Sequence, residues 1–189
     1  MNISIKNVFI VYMLELVIMV ILSIIGFYIG PRLISQSTIN VIKNELLSAV
    51  KLGPNGIFLH NLEIDTLMAV PVIGPVAFII SLTTTGFILG VDIAYTVSSP
   101  LVLISALLVT LFFPHGIIEL LAYAFSTTGS ITFTLKLFRA LRNKGSISKN
   151  DLITLLIYYA ISVVLLFIAA NLEYLEIIYF SKFIKNLIS

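Results

Sequence analysis

The sequence predicts an all-α, polytopic membrane protein of about five transmembrane segments, with one proline-broken helix pair and one interfacial amphipathic helix. Three observations predict it. Apolar residues make up 59% of the 189-residue chain and charged residues only 11%, with a mean hydropathy of +1.13. A soluble domain carries about a quarter charged residues, so lipid must be the main solvent of this one. Apolar runs long enough to cross a ~30 Å hydrocarbon layer recur along the chain. Four of its eleven cations gather in one short link without a single acid, the mark of a loop that stays on the cytoplasmic side.

The first apolar run, residues 7–30, is closed by Pro31 and carries one charge, Glu15, about two turns in. It exceeds a signal-peptide core in length, and no small-x-small cleavage site follows it, so it reads as a retained transmembrane helix. Residues 31–66 form the only long polar stretch. Within it, residues 37–52 place Ile39, Ile42, Leu46 and Val50 on one stripe, with Ser37 or Thr38 to cap the start and Gly53-Pro54 to end it. This is an amphipathic segment outside the bilayer, followed by turn signals that lead through His60, Asn61, Glu63 and Asp65.

The second apolar run, 67–91, has Pro71, Gly74 and Pro75 near its start and Gly86 and Gly90 near its end. Backbone groups freed by such breaks must be satisfied by protein neighbours. Gly86 and Gly90 form a small-xxx-small pair suited to close helix packing. The third run is too long for one span. Pro114 and Gly116 break it, and the preferred reading is two spans, 100–113 and 115–138, joined by a tight outer turn. One kinked span over 100–138 is the alternative. The link 139–150 holds Arg139, Arg142, Lys144 and Lys149, and the last span is 151–171, capped by Ser148 or Asn150. The amphipathic tail then extends that helix or lies in the interface. All 189 residues read as one integral membrane domain.

With the link cytoplasmic, five spans put the N-terminus and Lys6 inside and 31–66 outside; a single kinked span over 100–138 would put the N-terminus outside. The expected location is the cell membrane, as a multi-pass protein. The absence of cysteine excludes disulfides, thiolate metal sites and cysteine nucleophiles. No P-loop, dinucleotide fingerprint or nucleic-acid-binding surface is present.

Polar residues inside the apolar runs are the candidate site. His115 and Glu119 stand one helical turn apart. In the five-span reading they converge near the outer side with Glu173 and Asn61. The bland account is a hydrogen-bonded unit of His115 and Glu119 that fixes the turn, because polar groups in lipid need partners whatever their function. The sharper accounts are a proton or ion pathway, or a metal site on His115 and Glu119. The spacing HGIIE is not the paired-histidine HExxH pattern, so no metal and no other cofactor is assigned. Glu15 is a separate intramembrane acid, with Thr83-Thr84-Thr85 as possible partners.

PHGIIE, from Pro114 to Glu119, resembles the PHGxxE signature of the stage II sporulation protein M family. GFILG, Gly86 to Gly90, is similar to that family's NGxxxG, with Thr85 where asparagine is usual. AANLEY, Ala169 to Tyr174, is similar to its small-residue run ending in glutamate, here Glu173, and Asn61 also fits. The resemblance implies a helical membrane protein of about five spans. It also implies a scaffold-like role: sporulation members act with partner proteins, including a cell-wall hydrolase, during engulfment, and many members occur outside spore formers. The expected function is therefore a non-enzymatic scaffold or subunit of a membrane complex, whose partners are the lipid bilayer and either a membrane protein or further copies of the chain. A small-solute or ion transporter component and an intramembrane metal-dependent hydrolase are the rivals.

Overall fold

The computed structural model describes residues 3–142 and 145–188, and the side chains up to 179. Lys144 of the cationic link lies outside the described residues. The fold is all-α and polytopic. It comprises α1 (Ile5–Ile29), a short 3-10 turn (Gly30–Arg32), α2 (Gln36–Lys51), α3 (Pro54–Ala69), α4 (Gly74–Thr96), α5 (Pro100–Phe112), α6 (Pro114–Leu141) and α7 (Lys149–Ile188). Among the described residues, three helices are long and apolar enough to cross a membrane, or four when α5 and α6 count as one bent span.

The distribution of polarity is that of a protein dissolved in lipid. Val17 and Val164, halfway along their helices, are 54% and 59% exposed, while Glu15 and Asp65 are 0% exposed. Water would favour the reverse.

Local chemistry sets the helix limits. Ser4 caps α1, its hydroxyl accepting from the Asn7 amide. Ser35, rather than Ser37 or Thr38, caps α2, accepting from Thr38 N at 3.3 Å. Gly53 takes φ +74°, a left-handed value that suits glycine, and Pro54 opens α3 as its first residue. Ser148 and Asp151 form a reciprocal cap at the start of α7: the Ser148 amide donates to Asp151 Oδ2 at 2.9 Å, and the Asp151 amide to Ser148 Oγ at 3.3 Å.

Two packing relations fix the bundle. α1 and α4 run parallel, with Gly86 against Met19, Gly90 against Ser23 and Phe27, and Gly30 against Val91. α6 and α7 run antiparallel, pairing His115 with Glu176, the Ser126 and Ser162 hydroxyls at 3.1 Å, and Lys136 with Asp151. One end of the bundle, the link end, carries the α6–α7 connection. The other, the α2 end, carries α2 and the start of α6.

Because α1 and α4 are parallel, the chain must return between them. α3 makes that return. It starts with Gly53 against the Tyr174 ring, passes Ser126 and Ser162 at Asp65, and finishes where Ser130 Oγ donates to Val70 O at 2.8 Å. The expectation that all of 31–66 lies on the outer side is therefore corrected: α2 sits at one end of the bundle, whereas α3 runs along α6 and α7 toward the other. The expected span 67–91 is likewise divided. Residues 67–69 finish α3, Pro71 stops the helix, and α4 begins at Gly74. Val72, held at φ +70°, donates its amide to Thr134 Oγ1 at 2.7 Å. A β-branched residue rarely adopts this conformation, and two hydroxyls of α6 hold the turn in place.

The break at Pro114 also differs from the expected reversal. α5 and α6 are bent by 63°, a kink and not a hairpin. Gly116 permits it, since a Cβ there would strike the Thr110 carbonyl. α5 runs obliquely and buries Leu103, Leu107 and Leu111. The tail carries on as α7 without a break.

The two glycines on α4 differ in what they touch. A Cβ on Gly90 would strike the Ser23 carbonyl and the Phe27 amide, both backbone, whereas on Gly86 its nearest neighbour would be the Met19 carbonyl at 3.1 Å. Gly90→Ala is expected to cost about 1–3 kcal/mol through overpacking, with Gly86→Ala the milder of the two. Thermal unfolding in detergent measures both; equal effects would show that backbone approach does not limit this interface.

Candidate functional site

Three helices bring the polar side chains together. α6 supplies a buried run through one apolar helix: Tyr123, Ser126, Thr127, Thr128, Ser130 and Thr134. α3 supplies Asn61 and Asp65, and α7 supplies Ser162, all buried.

The centre of the site is Asp65. Its Oδ1 accepts from Ser126 Oγ, and its Oδ2 from Ser162 Oγ at 2.5 Å. The carboxylate thus joins α3 to both long antiparallel helices. Sequence reasoning placed Asp65 outside with the rest of 31–66, whereas the structure buries it in the bundle. Two signals pointed to the interior: an aspartate at the end of a segment that continues directly into an apolar run, and the cluster of hydroxyls in Ser126-Thr127-Thr128-Gly129-Ser130 that would serve it.

Toward the α2 end, Glu119 accepts from Tyr123 Oη at 3.1 Å and is also reached by the Asn61 amide. Glu173 and His115 both lie within its electrostatic reach. The structure therefore brings His115, Glu119, Glu173 and Asn61 into one neighbourhood. The direct bond differs from the expected one. His115 Nδ1 pairs with Glu176 Oε2 at 2.5 Å, not with Glu119. The antiparallel pairing of α6 with α7 explains the difference, because it sets the start of α6 beside the far part of α7, where Glu176 lies.

Glu15 is on α1, fully buried, and neither of its oxygens has a hydrogen-bond partner among the described residues. Thr83, Thr84 and Thr85 do not serve it; they are exposed on the outer surface of α4. Glu15 instead faces Asp65 and Glu119. Among the described residues, no group of three or more His, Asp or Glu side chains is arranged to hold a metal ion.

The pairing of His115 makes a measurable distinction. In double-mutant cycles on thermal stability in detergent, His115→Ala and Glu176→Gln are expected to couple by about 0.5–3 kcal/mol, the range for residues in contact. His115→Ala with Glu119→Gln should couple more weakly. The opposite order would mean that Glu119 is the direct partner.

Comparison with known proteins yields one finding. A family model described as stage II sporulation protein M matches residues 16–174. No curated protein and no solved structure matches the chain. The matched region takes in PHGIIE at the bend, the glycines of α4, Asn61 and Glu173, and it spans most of α1 through the middle of α7. The chain belongs to the stage II sporulation protein M family.

Proposed function

We propose that this protein is a non-enzymatic, multi-pass subunit of a cell-membrane complex, which engages a partner membrane protein at its α2 end. Family membership carries the reading, since the resemblance implies action through partners. The geometry of the α2 end supports it. Lys43 Nζ pairs with Asp92 at 2.9 Å and ties α2 to the end of α4, and Tyr95 Oη donates to the Ile34 carbonyl at 2.8 Å. Held in this way, α2 leaves Val41, Leu46 and Leu47 exposed. The cluster of His115, Glu119, Glu173 and Asn61 lies at the same end and is the polar part of the docking region.

The positive-inside rule orients the bundle. Lys6, Lys136, Arg139, Arg142 and Lys149 collect at the link end, which faces the cytoplasm in this reading, and α2 faces outward. A cysteine replacing Ser48 on α2 should react with an impermeant thiol reagent in intact cells, whereas one replacing Ser146 in the link should not. The reverse pattern would invert the orientation.

The complex itself is tested by capture. Full-length tagged chain, cross-linked in its native membrane and purified, is expected to bring down a second membrane protein in fixed proportion, and less of it with His115→Ala. Recovery of the chain alone, as a single copy, would defeat the proposal. Recovery as a homo-oligomer would replace the partner with further copies of the chain.

A further inference from the structure

Three acids from three helices meet inside the bundle with no Lys or Arg bound to them among the described residues: Glu15 of α1, Asp65 of α3 and Glu119 of α6. A structural task accounts for Asp65, which bridges α6 and α7. None accounts for Glu15. It is 0% exposed and makes no hydrogen bond among the described residues, so an apolar side chain there would serve packing at a lower desolvation cost. Its carboxyl group faces the other two acids.

The groups around Glu15 are hydroxyls, which both donate and accept. Tyr12 lies one turn away on α1 and interacts with it. Tyr123 lies within reach of Glu15, Asp65 and Glu119 together and donates to Glu119. Toward the α2 end, the series continues through Glu119 to Glu173, His115 and Glu176. His115 and Glu176 are 16% and 20% exposed in their side chains. Toward the link end, the buried hydroxyls of Thr127 and Thr128 have no partner among the described residues. Thr128 also borders an open groove of about 170 Å³ near the start of α1, lined by Asn7 and Thr132 and by the apolar Ile10, Val11 and Ile131. That volume admits several water molecules. Exchangeable groups therefore lie at intervals from the half-buried His115–Glu176 pair, past the three acids, to the groove beside Thr128 near the other end.

We propose that Glu15, Asp65 and Glu119 form a proton-exchange site and that the protein conducts protons across the membrane through it. A proton bound at the His115–Glu176 pair passes to the Glu119 carboxylate, on to Asp65 and Glu15, and leaves to water at the groove beside Thr128. Each carboxylate gains one O–H bond and then loses it, so no electron moves and no co-reactant is consumed. Fixed acids inside a membrane bundle commonly mark such paths.

The experiment uses the full-length chain in liposomes that hold a pH-sensitive dye, with a potassium gradient and valinomycin to set an inside-negative potential. Inward proton flux above that of protein-free vesicles is expected. Glu15→Gln should abolish it with no change in unfolding temperature, since Glu15 makes no hydrogen bond among the described residues. Glu63→Gln, on the exposed side of α3, should conduct as the unaltered chain does. Dicyclohexylcarbodiimide, which modifies carboxyl groups in apolar surroundings, provides a test on the unaltered chain: flux should cease as Glu15, Asp65 or Glu119 gains the adduct mass. Four results would overturn the proposal: flux no greater than in protein-free vesicles, full flux in Glu15→Gln, full flux after modification, or flux carried by sodium in place of protons. The proposal is independent of the partner complex, since failure of capture leaves the flux untouched and failure of flux leaves the capture untouched.

Discussion

Asp65 accepts hydrogen bonds from Ser126 and Ser162, and through those two bonds a short polar helix is fastened between the two longest helices of the protein. In lipid no water waits to satisfy a polar group that loses its partner. Position is therefore enforced by cost: sliding α3 by a turn would leave a buried carboxylate without its two hydroxyl donors. The same constraint orders the turn after α3, where Ser130 and Thr134 of α6 take the Val70 carbonyl and the Val72 amide. One face of α6 thus supplies hydroxyls to α3 over its second half and to the turn beyond it. That explains why this helix buries Ser126, Ser130 and Thr134 within an apolar sequence.

Glycine provides the second means of fixing the bundle. Gly90 brings the α4 backbone against the Ser23 carbonyl, and Gly26 does the same for α1 against the Phe87 carbonyl. Close approach of two backbones increases dispersion contact where no hydrophobic effect drives association. The bundle is therefore built in two ways: α1 with α4 by proximity, and α3 with α6 and α7 by hydrogen bonding. Glu15 stands on the glycine-packed half and faces the hydrogen-bonded half across the interface between them.

Much of this was legible in the sequence, for identifiable reasons. The helical membrane class follows from composition alone, because 11% charge cannot cover a water-facing surface. α1 and α7 are apolar through most of their length and are read directly. α3 was hidden because hydropathy asks whether a segment can face lipid, whereas α3 buries Asn61, Asp65 and Met68 against other helices. Its neighbours accommodate its polarity, and they lie far away in sequence. The kink at Pro114 was visible as a break, but a proline does not state the angle. The 63° bend depends on the approach that Gly116 allows to Thr110. The neighbourhood of His115, Glu119, Glu173 and Asn61 was suggested by residue type and position. The pairing of His115 with Glu176 was not, since it depends on how far α7 continues past the last apolar residues.

The fastening of α3 has a consequence for how the chain is made. An aspartate at the centre of a lone membrane helix costs about 3 kcal/mol to insert, and α3 carries His60, Asn61 and Glu63 besides Asp65. The hydroxyls that offset this cost belong to Ser126 and Ser162, which lie 61 and 97 residues further along the chain. When α3 leaves the ribosome, neither partner has been synthesised. The bonds that hold α3 in its buried place can therefore form only after α6 and α7 have been made.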